Sequence, residues 1–160
     1  MNIRSATPDD HVAILQIIMP VFRAGETYTI DPDISEADAL SYWTGADKET
    51  FVAVLEGEVL GTYYVKANQA GGGKHVCNCG YMTRQDAGGK GVASSMCTHS
   101  LGYAKSAGFK AMQYNFVVST NRGAIRLWQK FGFEIVGRLP EAFAHPSQGY
   151  VDALVMFRQL

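Results

Sequence analysis

The sequence lacks any long apolar run: no stretch of about 18 apolar residues, the length of a membrane-spanning helix, occurs in the chain. Its polar N-terminus also lacks the apolar centre of a secretory signal peptide. An excess of one charge is missing too, because 14 Lys and Arg nearly balance 15 Asp and Glu, whereas nucleic-acid-binding domains normally carry a basic excess. We therefore expect a cytoplasmic protein that binds neither membrane nor nucleic acid.

Cysteine is scarce, with only Cys77, Cys79 and Cys97 in the chain. An odd number without a secretion signal predicts reduced thiols rather than disulfides. Cys77 and Cys79 would share one face of a strand with His75, since alternate residues lie on the same face. Zinc sites favour wider cysteine spacing and a full set of four ligands. We therefore predict small buried side chains here and no metal.

The chain is long enough and apolar enough to build one core without cross-links. Hydrophobic residues make up 47% of it, an ordinary fraction for a globular protein. No internal repeat, low-complexity run or charged linker divides it. We expect a single domain over residues 1–160, a usual length for one domain.

Local patterns predict alternating helices and strands. Thr7 and Pro8 have the residue types of a helix start, and Ser35 begins a capping-box pattern for a second helix towards Trp43. Strands at 50–55 and 59–67 form a hairpin around Gly57. Further strands are predicted at 75–83, 111–118, 133–138 and 150–157, with helices at about 91–107 and 121–131. This order predicts an α/β fold, a mixed sheet with helices on its faces.

A glycine-rich turn at 88–91 joins the strand that ends at Thr83 to a helix that begins near Gly91. Helix N-termini have unpaired N–H groups and a partial positive charge, and glycine lets the backbone approach a ligand closely. The combination suits a phosphate or pyrophosphate group. A tight turn without a ligand is an equally good interpretation of these residues alone.

Two familiar phosphate-binding patterns do not fit the turn. A P-loop needs glycine where Arg84 stands and a hydroxyl residue where Gly91 stands. The dinucleotide-binding pattern needs glycine at Ser94 and an acidic residue about 20 positions on, and residues 108–116 contain none. Both interpretations are therefore rejected.

The turn and a later segment resemble the two motifs of the GNAT acetyltransferases. The cofactor motif of that superfamily, (Arg/Gln)-x-x-Gly-x-(Gly/Ala), matches at Gly91 and Ala93, while Gly88 replaces the usual Arg or Gln. The second motif, Asn-x-x-Ala-x-x-Leu-Tyr-x-x-x-Gly-Phe, is similar to the segment from Asn121 to Phe133, with Trp128 in place of the tyrosine. The resemblance covers about residues 78–137 and implies acetyl-CoA as co-substrate.

The same resemblance implies a fold: a GNAT-type mixed, mostly antiparallel sheet of about six to seven strands with helices on both faces. In that superfamily the fourth and fifth strands splay apart and the pantetheine arm lies in the gap. Tyr81, Met82 and Thr83 would contact the thioester end through their backbone, and the Met82 amide would stabilise the oxyanion. Asn121 would bind pantetheine or order the junction before its helix, and Trp128 would also belong to the cofactor-binding residues. The pyrophosphate would be held by Gly89, Lys90, Gly91, Val92, Ala93 and Ser94.

The proton chemistry is less defined. The tyrosine usual at the Trp128 position can protonate the departing thiolate, but an indole N–H only donates a hydrogen bond. Another tyrosine, water or no acid at all remain as alternatives. For the base that deprotonates the amine, Glu26 is the first candidate and His75 the second, and His145 and Tyr150 are the third. Tyr28 and Tyr150 join Glu26 as candidates for binding the acceptor, and a solvent-exposed or structural role is the alternative for each.

The resemblance predicts an N-acetyltransferase that moves an acetyl group from acetyl-CoA to a primary amine of a small molecule. The amine attacks directly, through a tetrahedral intermediate. A non-catalytic acyl-CoA-binding sensor and a protein or peptide N-acetyltransferase are the alternatives. Dimers are frequent in the superfamily, and on that resemblance alone we expect a homodimer.

Overall fold

Seven strands form one sheet in the computed structural model, which describes residues 1–160. The spatial order is β1-β2-β3-β4-β5-β7-β6, and all neighbours are antiparallel except β4 and β5. The strands are β1 Asn2–Ser5, β2 Glu49–Leu55, β3 Glu58–Ala67, β4 Val76–Thr83, β5 Ala111–Val118, β6 Glu134–His145 and β7 Gly149–Gln159. The helices are α1 His11–Ala24, α2 Glu36–Trp43, α3 Val92–Ser106 and α4 Arg122–Lys130.

The helices cover both faces of the sheet. On one face α1 and α2 bury apolar side chains such as Ile14 and Trp43 against Val52 of β2. On the other, α3 and α4 pack side chains such as Met96 and Trp128 against Tyr63 of β3 and residues of β4, β5 and β7. This arrangement confirms the predicted fold class. None of the four helices is long and apolar enough to cross a membrane.

Two strands differ from the sequence prediction. The short β1 was not predicted, because only Ile3 in it is apolar; its pairing with residues 51–54 of β2 holds it in the sheet. The strand predicted at 133–138 continues as β6 to His145 and pairs again with β7 at Phe143↔Val151. Pro140 does not end the strand, because β6 is an edge strand, where a missing N–H is tolerated.

The sheet splits between β4 and β5. These two strands pair only at Val76↔Ala111 and Cys77↔Met112. Beyond that point β4 stays paired with β3 as far as Thr83, while β5 follows β7 through a register shift between Tyr114 and Val117. The predicted splay between the fourth and fifth strands is thus present, and it opens towards the end of β4 that leads into the glycine-rich turn.

Candidate active site

A cavity of about 240 Å³ occupies the split between β4 and β5. Its wall comes from the loop after α1, from both splayed strands and from the start of α4, with two tyrosines of α2 and β3 behind them. The lining residues are Thr27, Tyr28, Thr29, Tyr42, Tyr64, Asn78, Cys79, Gly80, Tyr81, Tyr114, Asn115, Phe116, Val117, Val118, Asn121, Ala124 and Trp128.

Asn78 closes the inner end of the split. It is the first β4 residue after the last paired position, Cys77↔Met112. Its side-chain Nδ2 donates to the Gln113 carbonyl oxygen of β5 at 3.0 Å. The amide side chain thus satisfies a carbonyl that has lost its backbone partner, as a buried polar group requires, and fixes the depth of the cavity.

The pairing register decides which backbone groups of β4 face the cavity. In an antiparallel pair, hydrogen-bonded and non-hydrogen-bonded positions alternate. The Arg84 N–H donates to Leu60 and the Asn68 N–H donates to Val76, both at 2.8 Å, so even-numbered residues of β4 direct their N–H and C=O towards β3. The backbone groups of Tyr81 and Thr83 therefore face the split.

This register does not fit the role predicted for Met82. Its position opposite Thr62 turns the Met82 N–H towards β3, and its buried side chain packs with α1 and α2. The amide that faces the cavity belongs to Tyr81. Consistent with this orientation, the Tyr28 hydroxyl reaches across the opening and donates to the Tyr81 carbonyl oxygen at 3.0 Å.

The turn at 88–91 has the open donors of an anion site. Gly89 and Gly91 have φ angles of +77° and +73°, a region that L-residues with side chains rarely adopt, which explains glycine at both positions. Lys90 donates its N–H to Ala87 at 3.4 Å. Six further N–H groups donate to no acceptor in the protein, those of Gly88, Gly89, Gly91, Val92, Ala93 and Ser94. They surround the N-terminus of α3, where the helix dipole adds positive potential.

Two tyrosine hydroxyls on the α3 side belong to one series of hydrogen bonds. Ser100 Oγ donates to the Cys97 carbonyl at 2.9 Å. It therefore accepts from the Tyr81 hydroxyl at 2.7 Å, which in turn accepts from the Tyr114 hydroxyl at 3.1 Å. Burial raises the pKa of both tyrosines well above the usual value, so both hydroxyls stay protonated and already donate to a neighbour.

Trp128 packs against this pair. Its ring centroid lies 4.9 Å from that of Tyr81 and 5.0 Å from that of Tyr114, and the residue is 8% exposed. Its indole N–H makes no hydrogen bond within the chain. At the start of the same helix, Asn121 Oδ1 accepts from the Ala124 N–H at 3.3 Å, which caps α4 and holds Asn121 at the cavity wall.

A second group of tyrosines lies on the α1 and α2 side. The hydroxyls of Tyr42 and Tyr64 are 3.4 Å apart. Gly80 makes room for this arrangement, since a Cβ at that position would lie 2.7 Å from the Tyr64 ring. The ammonium of Lys48 lies over both rings, 4.8 Å from the Tyr42 centroid and 5.5 Å from the Tyr64 centroid.

Several predicted site residues lie outside the cavity wall. Glu26 is exposed in the turn before Thr27, and His75 is exposed just before β4, where its carbonyl accepts from the Lys110 N–H. Tyr150 begins β7 and is 73% exposed. The three cysteines are buried and unpaired. No cluster of three or more potential metal-ligating side chains occurs.

Several wall residues were not predicted as site residues, among them Asn78, Tyr42, Tyr64 and Tyr114. Tyr64 and Tyr114 occupy regular strand positions, where an aromatic side chain ordinarily belongs to the core. Asn78 carried a usable signal, since it is a buried amide inside an otherwise apolar strand. Such a residue needs a partner, and the end of strand pairing supplies it.

The sequence pattern of the Acetyltransferase (GNAT) family matches residues 12–133. The chain belongs to this family. The match spans α1 to the end of α4 and contains the split, the glycine-rich turn and the Asn121 cap. The chain is therefore a member of a family of acyltransferases.

Individual relatives agree with this assignment. A GCN5-related N-acetyltransferase from Kribbella flavida superposes with a TM-score of 0.94 at 40% identity, covering 99% of this chain and 97% of that one. N-acetyltransferase aca1 of Schizosaccharomyces pombe is 34% identical over 61% of this chain, and the match spans only 47% of that protein's length. A phosphinothricin acetyltransferase from Sinorhizobium meliloti, solved with AcCoA, has a TM-score of 0.86 at 24% identity, covers 99% of this chain and 88% of that one, and shares the fold.

Proposed function

We propose that this protein is an acetyl-CoA-dependent N-acetyltransferase whose acceptor is a primary amine of a small molecule. The observation that carries the proposal is the continuity of the site. The split between β4 and β5 opens at the end of β4 that leads into the turn with six unpaired N–H groups. A long cofactor with a pyrophosphate at one point and a reactive thioester beyond it matches this layout. GNAT membership and the fold shared with a neighbour solved with AcCoA support it.

In this proposal the turn binds the pyrophosphate and β4 binds the pantetheine arm. Backbone amides of residues 88–94 and the dipole of α3 provide the positive potential, and the Lys90 side chain adds a cation nearby. The pantetheine amides pair with the backbone of Thr83, as an added strand would. Asn121 faces the same channel from the start of α4.

The Tyr81 N–H takes the role of oxyanion donor. The amine nitrogen attacks the acetyl carbonyl carbon, and the carbonyl oxygen becomes negative in the tetrahedral intermediate. A fixed N–H directed at that oxygen stabilises it, and the bond from Tyr28 to the Tyr81 carbonyl holds this peptide in place. The C–S bond then breaks, the amide product keeps the acetyl group, and the nitrogen's proton passes to water.

Coenzyme A leaves as a thiolate without a protein acid. The hydroxyls of Tyr81 and Tyr114 already donate within their series of hydrogen bonds, and Trp128 has no proton to release near neutral pH. A thiolate is a far better leaving group than the nitrogen anion that would have to leave in the reverse sense, so the thiolate departs readily, and water supplies the proton afterwards. Most of the rate then comes from aligning amine and thioester in a partly dry cleft.

Incubation with acetyl-CoA and a panel of amines tests this function. Release of free CoA thiol, together with acetylated amine identified by mass, is the expected result. Tight acetyl-CoA binding without turnover on any amine would instead favour an acyl-CoA sensor. Long peptides and folded proteins in the same panel test the remaining alternative, and a strong preference for them over small amines and dipeptide amides contradicts a small-molecule acceptor.

A further inference from the structure

The wall of the cavity is made of uncharged groups. Among its lining residues the titratable ones are Cys79 and the tyrosines at 28, 42, 64, 81 and 114. Burial raises the pKa of Tyr28, Tyr64, Tyr81 and Tyr114 and that of Cys79. Hydroxyl and amide groups of threonine and asparagine complete the polar surface. These surroundings penalise a charge of either sign through desolvation.

Two of the aromatic rings in the wall are already occupied by a cation of this chain. Rings of Tyr42 and Tyr64 attract a cation within about 6 Å of the centroid, and the Lys48 ammonium lies within that distance of both. The Lys48 side chain is only 6% exposed and is paired with Asp47 at 2.9 Å. A second ammonium entering beside these rings would meet a like charge.

Other charged side chains near the site point into solvent. Glu26 precedes Thr27 in the loop after α1, and Arg122 follows Asn121 at the start of α4; both are exposed and neither lines the cavity. Asp47 has its carboxylate shared between Lys48 and Lys66. No carboxylate therefore lines the cavity to pair with an ammonium there.

We propose that the acceptor enters this cavity as an uncharged amine, so that the enzyme selects amines of low pKa, such as the α-amines of amino-acid amides and short peptides or arylamines, over alkylamines. This inference rests on the proposed acetyl transfer. The uncharged nitrogen has a free lone pair, so attack on the acetyl carbon precedes any proton transfer. The proton is lost from the tetrahedral intermediate to water, and no carboxylate or imidazole has to remove it beforehand.

The pH dependence with three small acceptors tests the inference. Glycylglycinamide has an α-amine with a pKa of about 7.7–8.0, and N-acetyl-lysine amide has an alkylamine with a pKa of about 10.4. Between pH 7 and 9 the uncharged fraction rises about 8-fold for the first and about 100-fold for the second. We expect kcat/KM to follow these two curves, and to stay level for an arylamine, which is uncharged throughout.

Two results would overturn the inference. One is a single inflection at the same pH for all three acceptors, which would report an ionising group of the enzyme. The other is a level profile for N-acetyl-lysine amide, which would mean that its ammonium form binds productively. Either can occur while CoA is released, so both are distinct from failure of acetyl transfer. Absence of turnover with every acceptor would overturn the proposed function and this inference with it.

The variant Lys48→Ala tests the occupied aromatic faces. Removing this ammonium exposes the rings of Tyr42 and Tyr64, so tetramethylammonium should become a competitive inhibitor against the amine, with an inhibition constant several-fold lower than for the wild type. Lys66→Ala is the matched control, because it also removes a partner of Asp47, at 3.3 Å, but Lys66 makes no cation–π contact. Equal inhibition of a folded Lys48→Ala and the wild type contradicts the assignment of Lys48. The wild-type pH profiles do not depend on this variant.

Discussion

At the scale of single residues, two backbone features define the site: the absence of a side chain at Gly80 and the direction of the N–H groups of β4. Sequence motifs predicted the relevant strand, and in the structure the Tyr81 N–H rather than the Met82 N–H faces the cavity. The alternation of a strand can be predicted from sequence, but its phase relative to the neighbouring strand depends on the β3–β4 register. That register is set by tertiary pairing, so Met82 and Tyr81 could not be distinguished beforehand.

Gly80→Ala should damage the acceptor side of the cavity. The added Cβ would lie 2.7 Å from the ring of Tyr64, which is buried and cannot move without displacing Tyr42. We expect the KM for the amine to rise about 10-fold or more and the free energy of unfolding to fall by about 1–3 kcal/mol. Steady-state kinetics and urea unfolding measure the two effects.

Gly102→Ala is the control for that variant. Gly102 is exposed on α3 and a Cβ there meets no atom within 4 Å. The change should leave kinetics unaltered and raise the free energy of unfolding by about 0.5–1 kcal/mol, because alanine favours the helix. An unchanged amine KM in Gly80→Ala would show that Tyr64 does not shape the acceptor site.

Thr83→Pro removes one N–H that faces the split. Proline is tolerated at a strand position without a ladder hydrogen bond, and Thr83 directs its N–H away from β3. We expect weaker acetyl-CoA binding, by about 10-fold for one lost hydrogen bond, as measured by calorimetric titration. Thr83→Val, which keeps the amide, should bind like the wild type. Equal affinity in a folded Thr83→Pro would contradict pairing of pantetheine with β4.

Among the secondary-structure elements, the start of α1 was predicted from local sequence. A residue of another element also stabilises it. Thr7 and Pro8 were readable as a helix start, and the Thr7 N–H donates to Asp10 Oδ2 at 2.8 Å. The contact that could not be predicted is Arg4 of β1, whose guanidinium makes two bonds of 2.7 and 2.8 Å to the same carboxylate. β1 itself was not predicted, so its arginine had no assigned place.

The Arg4–Asp10 pair should make stability depend on acid pH. The Arg4 hydrogen bonds lower the pKa of Asp10 to about 2, against about 3.9 in the unfolded chain. A lowered pKa in the folded state gives stability that is complete above pH 4 and is lost as the pH falls towards 2. The expected loss is about 2 kcal/mol.

Urea unfolding of Asp10→Asn at several pH values measures this effect. The variant should be less stable than the wild type at pH 7, and the difference should shrink below pH 4. Asp9→Asn serves as control, since Asp9 is exposed and makes no ion pair. A wild-type advantage over Asp10→Asn that persists unchanged at pH 2 would contradict the assigned pKa.

In the whole molecule, the order of helices and strands along the chain predicted the fold class. The cavity, in contrast, forms where β4 and β5 are not paired. The hairpin of β2 and β3, the helices after Gly91 and Asn121, and the split between β4 and β5 were all expected from spacing and from the two motifs. The wall of the cavity was predicted only in part, because Tyr42, Tyr64 and Tyr114 come from three distant segments that meet only in the folded chain. The placement of their hydroxyls in the cavity wall could therefore be found only from the structure.

The position of the predicted base candidates relative to the cavity also depends on the whole folded molecule. Glu26 and His75 were chosen by analogy of position, and both are exposed outside the cavity wall. If the amine enters uncharged, Glu26→Gln and His75→Gln should each lower kcat/KM less than 10-fold, below the usual effect of losing a general base, about 10²–10⁴-fold. A loss in that larger range for either variant would identify a base and contradict entry of the uncharged amine.

In the proposed complex, acetyl-CoA lies along the split strand and over the turn, with the amides of Tyr81 and Thr83 as its partners. Residue-resolved amide hydrogen exchange by NMR, with and without acetyl-CoA, tests it most directly. We expect new protection at Tyr81, Thr83, Gly89 and residues 91–94, and little change at Met82, whose N–H is directed towards β3. Protection that appears elsewhere while these amides exchange as before would contradict the account.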